Sequence, residues 1–384
     1  MAREPSVYEE RIENVRKELK RQGGKALILP PGDDQFYLAG NPELQIQPRH
    51  TFFVLPSDGD PFLFMSSNNE RNIRELTPIE DIVIWDDDDD PVEALMDALS
   101  SLGLTSEDTV FIDEQMWALF VDDLHKILDA EIELADDIVM QQRIQKDQYE
   151  IDAIERACEI VDEVSEEIRG LDAVGMTENE LVAEIQYRMQ EKGGDSGLAS
   201  FPVAVASGPN GAKPSYYPAR DLGRREIRPN EPVVLDFGAS VNGYLSDQAR
   251  VVVYEGEPPE PFKEAYEVVL EAQQAAVEAI EPGVVASEID EVARSIIEDA
   301  GYGEQFLHVT GHGVGLGVHE PPFLMSGQYI GEGNAIELQP GMVVTVEPAI
   351  YSDDWGIRIE DDVLVEEGGS RRLTDSDHGW KSLD

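Results

Sequence analysis

The chain is poor in cysteine, in basic residues and in long hydrophobic runs. Its 384 residues contain one cysteine, and 29 Lys and Arg stand against 80 Asp and Glu, which gives a formal net charge of −51 at pH 7. One cysteine excludes an internal disulfide. The acidic excess argues against nucleic acid and anionic membranes as partners, because like charges repel. No stretch approaches the roughly 20 apolar residues of a membrane span and the N-terminus opens no apolar run, so we expect a cytoplasmic protein.

The acidic residues are spread over the whole chain. Hydrophobic residues make up 41% of the sequence and recur with regular periodicity, so the charge does not indicate disorder. A surface adapted to high intracellular salt explains it better, because screening makes a high charge density tolerable. We therefore expect a folded protein from a salt-accumulating organism.

The length predicts two domains. An amphipathic helix opens the chain, with Ile12, Val15 and Leu19 on one face. Apolar runs alternate with helical segments up to about Ile138, which predicts an α/β N-terminal domain. The polar segment Gln141–Asp147 marks the junction, so the predicted domains are 1–143 and 144–384. The predicted N-terminal strands include Ala26–Leu29, Phe52–Leu55, Phe62–Met65 and Ile82–Trp85.

The C-terminal part repeats itself weakly. A pattern of helix, glycine turn, helix and glycine returns 108 positions later, and two apolar strands match at an offset of 111, Pro229–Asp236 with Pro340–Glu347. The return strand of each copy places an acid, Asp247 or Glu360, four residues after a glycine. A pseudo-two-fold axis relating the copies would bring two pairs of carboxylates together.

These four acids lie on or beside strongly apolar strands. Any one of them alone is most simply an acid at a strand end facing solvent. Isolated carboxylates are expensive to bury, whereas two divalent cations would bring four positive charges against four carboxylates. With a neutral imidazole added, the predicted ligands are Asp236, Asp247, His312, Glu347 and Glu360.

Other polar residues are interpreted as structural. Cys158 lies on an apolar helix face with no His or Lys near it in sequence, which predicts a buried, inert thiol. The acidic stretch Asp86–Asp90 is predicted to be a solvated loop, because consecutive residues do not converge on one small ion without a designed turn. His50, His125 and His378 lie outside every motif and are expected on the surface.

Seven short strings follow one another in order: Ala206–Asn210, Leu235–Ala239, Gly243–Asp247, Thr310–Gly315, His319–Pro321, Val346–Pro348 and Arg358–Asp361. The ordered set resembles the prolidase and aminopeptidase P branch of the pita-bread metallopeptidases over roughly residues 145 to 370. The N-terminal domain resembles the creatinase-type domain more weakly, through Phe36–Gly40. The resemblance implies an α/β (α+β) protein with a creatinase-type N-terminal α/β domain and a C-terminal pita-bread domain that carries the internal pseudo-two-fold repeat.

The resemblance also implies a role for each ligand. Asp236 would chelate one ion, Asp247 and Glu360 would bridge both ions, and His312 and Glu347 would complete the other. A water or hydroxide held between the ions would attack the peptide bond preceding proline. Mn or Co are the expected metals, with Fe or Zn as alternatives. Relatives of this kind also imply a homodimer and a proline-containing peptide as substrate.

Further catalytic residues are implied around the ligands. His308 and His319 would line the site, the latter against the substrate near its proline, although His308 is equally consistent with a structural imidazole. Arg358 could brace a bridging carboxylate or a neighbouring acid. Glu347 is the natural candidate to take the proton of the attacking water. The predicted catalytic set is His308, His319, Glu347 and Arg358.

One position departs from the family pattern. Ser215 stands where the family carries a histidine, and a serine hydroxyl cannot carry a proton at neutral pH. Three hypotheses remain open: a peptidase that uses His308, His319 or Tyr216 instead; the same metal centre acting on a small amide or amidine, as in creatinase-like and ectoine hydrolase-like relatives; and a peptide-binding relative with weak catalysis. Retention of all five ligands argues against the last.

Overall fold

The computed structural model describes residues 5–41, 47–135, 137–195, 200–216, 223–326 and 336–382. Contacts divide the chain into two compact units, Met1–Arg143 and Ile144–Asp384. Among the described residues, every helix is too short or too polar to cross a lipid bilayer.

The N-terminal unit is a mixed sheet with helices. Its elements are α1 Pro5–Arg21, β1 Gly24–Leu29, α2 Asp33–Ala39, β2 Phe52–Pro56, β3 Phe62–Ser66, α3 Glu70–Arg74, β4 Asp81–Trp85, α4 Pro91–Ser100, β5 Thr109–Ile112, α5 Ala118–Ile127, β6 Glu131–Leu134 and α6 Met140–Arg143. The strands form one sheet in the order β4-β3-β2-β1-β5-β6. Ile12, Val15 and Leu19 of α1 are buried, as the apolar periodicity predicts, and the four predicted strands are confirmed.

The C-terminal unit is larger and internally repeated. Its helices are α7 Gln148–Arg169, α8 Glu178–Glu191, α9 Glu260–Ala279 and α10 Ala286–Asp299. Its strands are β7 Ala204–Ser207, β8 Val233–Phe237, β9 Ser240–Val241, β10 Tyr244–Leu245, β11 Gln248–Val252, β12 Gly311–Gly313, β13 Glu320–Leu324, β14 Val343–Val346, β15 Ala349–Tyr351, β16 Gly356–Arg358, β17 Asp361–Glu366 and β18 Gly369–Arg372. They form the sheets β11-β8-β7 and β13-β12-β14-β17-β18 and the two hairpins β9–β10 and β15–β16.

The predicted repeat is present in the backbone. The pair α7–α8 corresponds to α9–α10, and β8 to β11 corresponds to β14 to β17. The turn glycines that match in sequence also match in conformation, since Gly175 and Gly283 have φ of 89° and 91°, a region that favours glycine. The sequence predicted a strand, a reversal and a second strand in each copy. The structure adds a two-stranded hairpin within each reversal.

The single cysteine is buried as predicted. Cys158 is 0% exposed on α7, and its Sγ donates a hydrogen bond to Asp362 Oδ2 at 3.3 Å. Burial and the Asp362 charge raise the pKa of the thiol well above its ordinary value. The acidic stretch Asp86–Asp90 is exposed, in agreement with a solvated loop.

The surface location predicted for three histidines is wrong for two of them. His50 is buried with its Nε2 3.0 Å from Asp123 Oδ2, and His378 is half-buried with its Nε2 2.9 Å from Asp361 Oδ2. Each pairs with a buried acid, which compensates both polar groups for the loss of water. Only His125 is exposed as expected.

Candidate metal centre

Backbone pairing between the two repeats brings their acids together. Asp236 of β8 lies opposite Ala249 of β11 in antiparallel register. Ala249 also forms a bridge to Glu360, whose N–H donates to the Ala249 carbonyl at 3.1 Å. Ala249 of the first repeat therefore connects Asp236 of the first repeat with Glu360 of the second. Asp247 and Glu360 directly precede the corresponding return strands β11 and β17.

The predicted ligands converge in space. One ligand atom from each of Asp247, His312 and Glu360 lies within 4.8 Å of the others. His312 Nε2 is also 3.3 Å from Glu347 Oε1, and Asp236 lies close enough to raise the pKa of both Asp247 and Glu360. All five are buried, with between 1% and 8% of their surface exposed.

His312 is held so that one ring nitrogen faces the acids. Its backbone N–H donates to Thr345 Oγ1 at 3.1 Å, and its Nδ1 lies 3.1 Å from the Gly313 carbonyl. A carbonyl oxygen only accepts, so in the neutral ring the proton belongs on Nδ1 and the lone pair on Nε2. Nε2 lies 3.8 Å from Asp247 Oδ2. This is the arrangement that a metal-ligating histidine needs.

The acids differ in how well their charge is compensated. Burial, with the neighbouring acids, raises the pKa of Asp247 and Glu360 well above ordinary values. Burial alone would also raise the pKa of Glu347, but the hydrogen bond to His312 and the nearby His308 and Arg358 lower it to about 2. The centre therefore concentrates negative charge that the surrounding protein only partly neutralises.

The donor set fits divalent cations. Asp247 Oδ1 is buried and has no hydrogen-bond partner among the described residues, which is costly unless a cation approaches it. Carboxylate oxygens with one imidazole are a ligand set typical of divalent metals. Cations bound here would also favour the ionised forms of Asp247 and Glu360.

Tyr351 belongs to the site although its sequence position gave no sign of it. His308 Nδ1 lies 2.7 Å from the Val309 carbonyl, so in the neutral ring Nδ1 carries the proton and Nε2 accepts. Tyr351 Oη lies 2.8 Å from that Nε2 and therefore donates to it. The same hydroxyl accepts from Arg358 Nη2 at 2.7 Å. Tyr351 thus links His308 to Arg358.

Arg358 lies against two acids of the cluster, Asp236 and Glu347. Its Nη1 donates to Asp236, its Nε lies 3.7 Å from Glu347 Oε2, and its Nη2 donates to the Pro214 carbonyl at 3.0 Å. The sequence left open whether Arg358 braces a bridging carboxylate or a neighbouring acid. The residue in direct contact is Asp236, on the neighbouring repeat, and the charge of Arg358 acts on Glu360 at longer range. A planar guanidinium suits several acceptors at once.

His319 lies beside the ligands at the exposed side of the site. Its ring centroid is 4.2 Å from that of His312, and the residue is exposed. Partial burial of the ring and the adjacent His312 lower its pKa to about 4, so the imidazole is neutral at pH 7.

The loop that carries Ser215 is fixed by a buried acid. Ser215 is exposed. Glu178 is 0% exposed and accepts from the Ser207 N–H at 2.8 Å, from Asn210 Nδ2 at 3.1 Å and from Tyr216 Oη at 2.6 Å. Because its hydroxyl donates to Glu178, Tyr216 is poorly placed to replace the histidine expected at position 215. His308 and His319 remain.

The internally repeated fold and its buried acid cluster define a metal-dependent enzyme. Residues 152–367 match the model of metallopeptidase family M24, and residues 11–145 match that of the creatinase/prolidase N-terminal domain. The first match spans more than half of the chain, so the chain belongs to metallopeptidase family M24. The resemblance to the pita-bread metallopeptidases is thereby confirmed.

Relatives of similar length support the same placement. An Xaa-Pro dipeptidase from Pyrococcus horikoshii is 32% identical over 376 residues, which cover 96% of this chain and 97% of the relative. The crystal structure of a prolidase from Thermococcus sibiricus superposes with a TM-score of 0.91 at 34% identity and covers 98% of this chain and 99% of its own. An X-Pro aminopeptidase from Thermotoga maritima superposes with a TM-score of 0.81 at 29% identity, with coverage of 97% and 99%.

Proposed function

We propose that this metallopeptidase hydrolyses the peptide bond preceding proline in short peptides and that Xaa-Pro dipeptides are its preferred substrates. The buried cluster of four carboxylates and one imidazole carries the proposal, because an inert fold has no need of four converging acids. The full-length relatives named Xaa-Pro dipeptidase and prolidase support the choice of substrate.

Two divalent ions are the proposed cofactors, with Mn or Co favoured and Fe or Zn as alternatives. Asp236, Asp247, His312, Glu347 and Glu360 would hold them. When bound, such ions acidify a water molecule and polarise the scissile carbonyl.

The protein's own groups divide the remaining work. Glu347 is ionised at neutral pH and is the proposed acceptor of the water proton, although His312, His308 and Arg358 limit its basicity. Burial lowers the pKa of His308, so its neutral ring accepts from Tyr351 and thereby orients Arg358. His319, at the exposed side, is the proposed contact for the peptide.

The quaternary structure and location belong to the same proposal. We predict that the protein forms a homodimer and that it is a cytoplasmic enzyme adapted to high salt. Sedimentation in concentrated KCl tests the dimer, and activity measured against KCl concentration tests the salt adaptation.

A substrate panel tests the proposed activity directly. The metal-loaded protein in molar KCl is offered Xaa-Pro dipeptides, the corresponding Xaa-Ala dipeptides and longer Xaa-Pro peptides, with Mn or Co and with a chelator. We expect chelator-sensitive cleavage that is fastest for Xaa-Pro dipeptides. Preference for longer peptides would change the subclass to an aminopeptidase.

A control variant distinguishes a wrong choice of substrate from a metal centre that does not catalyse hydrolysis. Glu360→Gln should bind metal weakly and cleave nothing in the panel. A wild-type protein that binds two ions and cleaves no peptide would contradict the proposal. That result would favour a small amide or amidine substrate, with Ser215 as the reason.

A further inference from the structure

A buried ion pair lies beneath the segment that carries His319. Lys146 Nζ and Glu320 Oε1 are 2.7 Å apart, and the two side chains are 1% and 2% exposed. Lys146 directly precedes the N-cap of α7, and Glu320 directly follows His319. Burying two charges carries a large desolvation cost, and an apolar pair of similar volume is often as stable. Stability alone therefore does not account for the pair.

Each residue of the ion pair also forms a hydrogen bond with a backbone group of a neighbouring segment. The Lys146 N–H donates to the Gly341 carbonyl at 2.8 Å, which attaches it to the turn before β14. Glu320 Oε2 accepts from the Gly317 N–H at 3.1 Å. The Glu320 carboxylate thus spans from Lys146 to the loop that leads into His319. The ion pair connects the start of α7 with this loop.

A glycine leaves room for the pair. A Cβ added at Gly315 would lie 2.5 Å from Glu320 Oε1 and 3.0 Å from Lys146 Cε. The Gly315 carbonyl accepts from the Leu245 N–H at 2.8 Å, so the same loop is also attached to β10, two residues before Asp247. The loop therefore contacts both the ion pair and the strand that leads to Asp247.

The position of His319 depends on this loop. Its ring lies 4.2 Å from that of His312, and the residue that follows it pairs with Gly313 across a bulge in β12–β13. We propose that Lys146 and Glu320 are positioning residues that hold His319 against His312 and thereby set peptide binding at the metal centre. The part concerning peptide binding rests on the proposed function.

The test replaces the ion pair with apolar side chains, Lys146→Met/Glu320→Leu, in the wild type and in a His319→Ala background. If the pair acts through His319, the double replacement should lower kcat/KM about 10-fold or more in the wild type and less than about 2-fold in His319→Ala. Equal losses in the two backgrounds, or no loss in the wild type, would overturn the proposal. The melting temperature of every variant is recorded with metal and with chelator.

A second readout needs no substrate. The chain has six histidines, so their ring Cε1–Hε1 signals can be assigned by single replacements. In the chelated protein, Lys146→Met/Glu320→Leu should move the His319 signal toward that of the exposed His125 and leave the His50 signal unchanged. An unmoved His319 signal would refute the positioning role, whether or not the wild type cleaves Xaa-Pro peptides.

A matched control distinguishes positioning from general destabilisation. Arg169 is a cation that is also 1% exposed, and it is bound to Asp377 on the C-terminal segment. Arg169→Met should lower the melting temperature without moving the His319 signal. Should the double variant fail to fold, Glu320→Gln keeps the side-chain shape, removes the charge and carries the same two measurements.

Discussion

Glu360→Gln is expected to have opposite effects on the metal-free and the metal-loaded protein. Glu360 is 1% exposed, and burial together with Asp247 and Glu347 raises its pKa well above the ordinary value. Glutamine keeps the shape of the side chain and removes one negative charge from a crowd of acids. Without metal, the variant should therefore be more stable than the wild type. With metal, the order should reverse, because the wild type alone keeps the full ligand set.

The size of the metal effect follows from ligand linkage. An ion at 100 times its Kd stabilises the folded state by about 2.7 kcal/mol. For a folding unit of the size of Ile144–Asp384, one kcal/mol moves Tm by about 2–4 °C. The wild type should gain roughly 5–11 °C for each bound ion under these conditions. Glu360→Gln should gain only a small part of this.

The pH dependence has a defined sign. A carboxyl group whose folded pKa lies above its unfolded value makes the native state hold more protons, so stability falls as the pH rises from the unfolded value through the folded one. For Glu360 the window opens at the ordinary value of 4.5. As the pH rises above about 4.5, the metal-free wild type should lose stability relative to Glu360→Gln. The difference should close near about pH 4.

Thermal scans in concentrated KCl, with Mn or with a chelator, measure both effects. Glu178→Gln is the matched control, because Glu178 is equally buried but accepts hydrogen bonds outside the metal centre. It should be destabilised with and without metal and keep the full metal-induced gain. The reasoning is refuted if metal-free Glu360→Gln is less stable than the wild type at pH 7, or if it keeps the full gain.

Three further predictions concern side chains around the ligands. Tyr351→Phe removes the hydroxyl between His308 and Arg358 and should lower kcat/KM about 10-fold with an unchanged metal-induced rise in Tm; a lost rise would contradict this role. Arg358→Lys cannot reach Asp236 and Tyr351 together and should lower kcat about 100-fold in steady-state assays, and an unchanged kcat would refute it. The Cys158 thiol should react with a disulfide reagent only on unfolding, and rapid modification of the native protein would show that its burial is wrong.

The acids of the centre could be grouped from the sequence because they occupy equivalent places in repeated strands. The offset of 111 positions between Asp236 and Glu347 reflects two copies of one strand, hairpin and strand unit. Antiparallel pairing then brings the copies together through Ala249 and Glu360. A strand has a fixed rise per residue and alternating faces, so the spacing of acids along it translates directly into positions in space.

The side chains that brace the centre could not be predicted in this way. Tyr351 lies 43 positions from His308, and Lys146 lies 174 positions from Glu320. No helical or strand periodicity relates such pairs, and the same residue types occur on the surface throughout so charged a chain. His378 was misplaced for the same reason, since its partner Asp361 is brought to it only by the tertiary fold.

The distribution of charge separates the four acids into the same two pairs that the repeat makes equivalent, Asp236 with Glu347 and Asp247 with Glu360. Asp236 has Arg358 against it, and Glu347 has His312 with Arg358 and His308 nearby. The largest influences on the pKa of Asp247 and of Glu360, after burial, are other acids. A carboxylate that bridges two cations receives the most positive charge when they bind, so it is the one that can remain uncompensated without them. If two cations bind here, these charges support the proposal that Asp247 and Glu360 lie between them, on grounds other than the family resemblance that first suggested it.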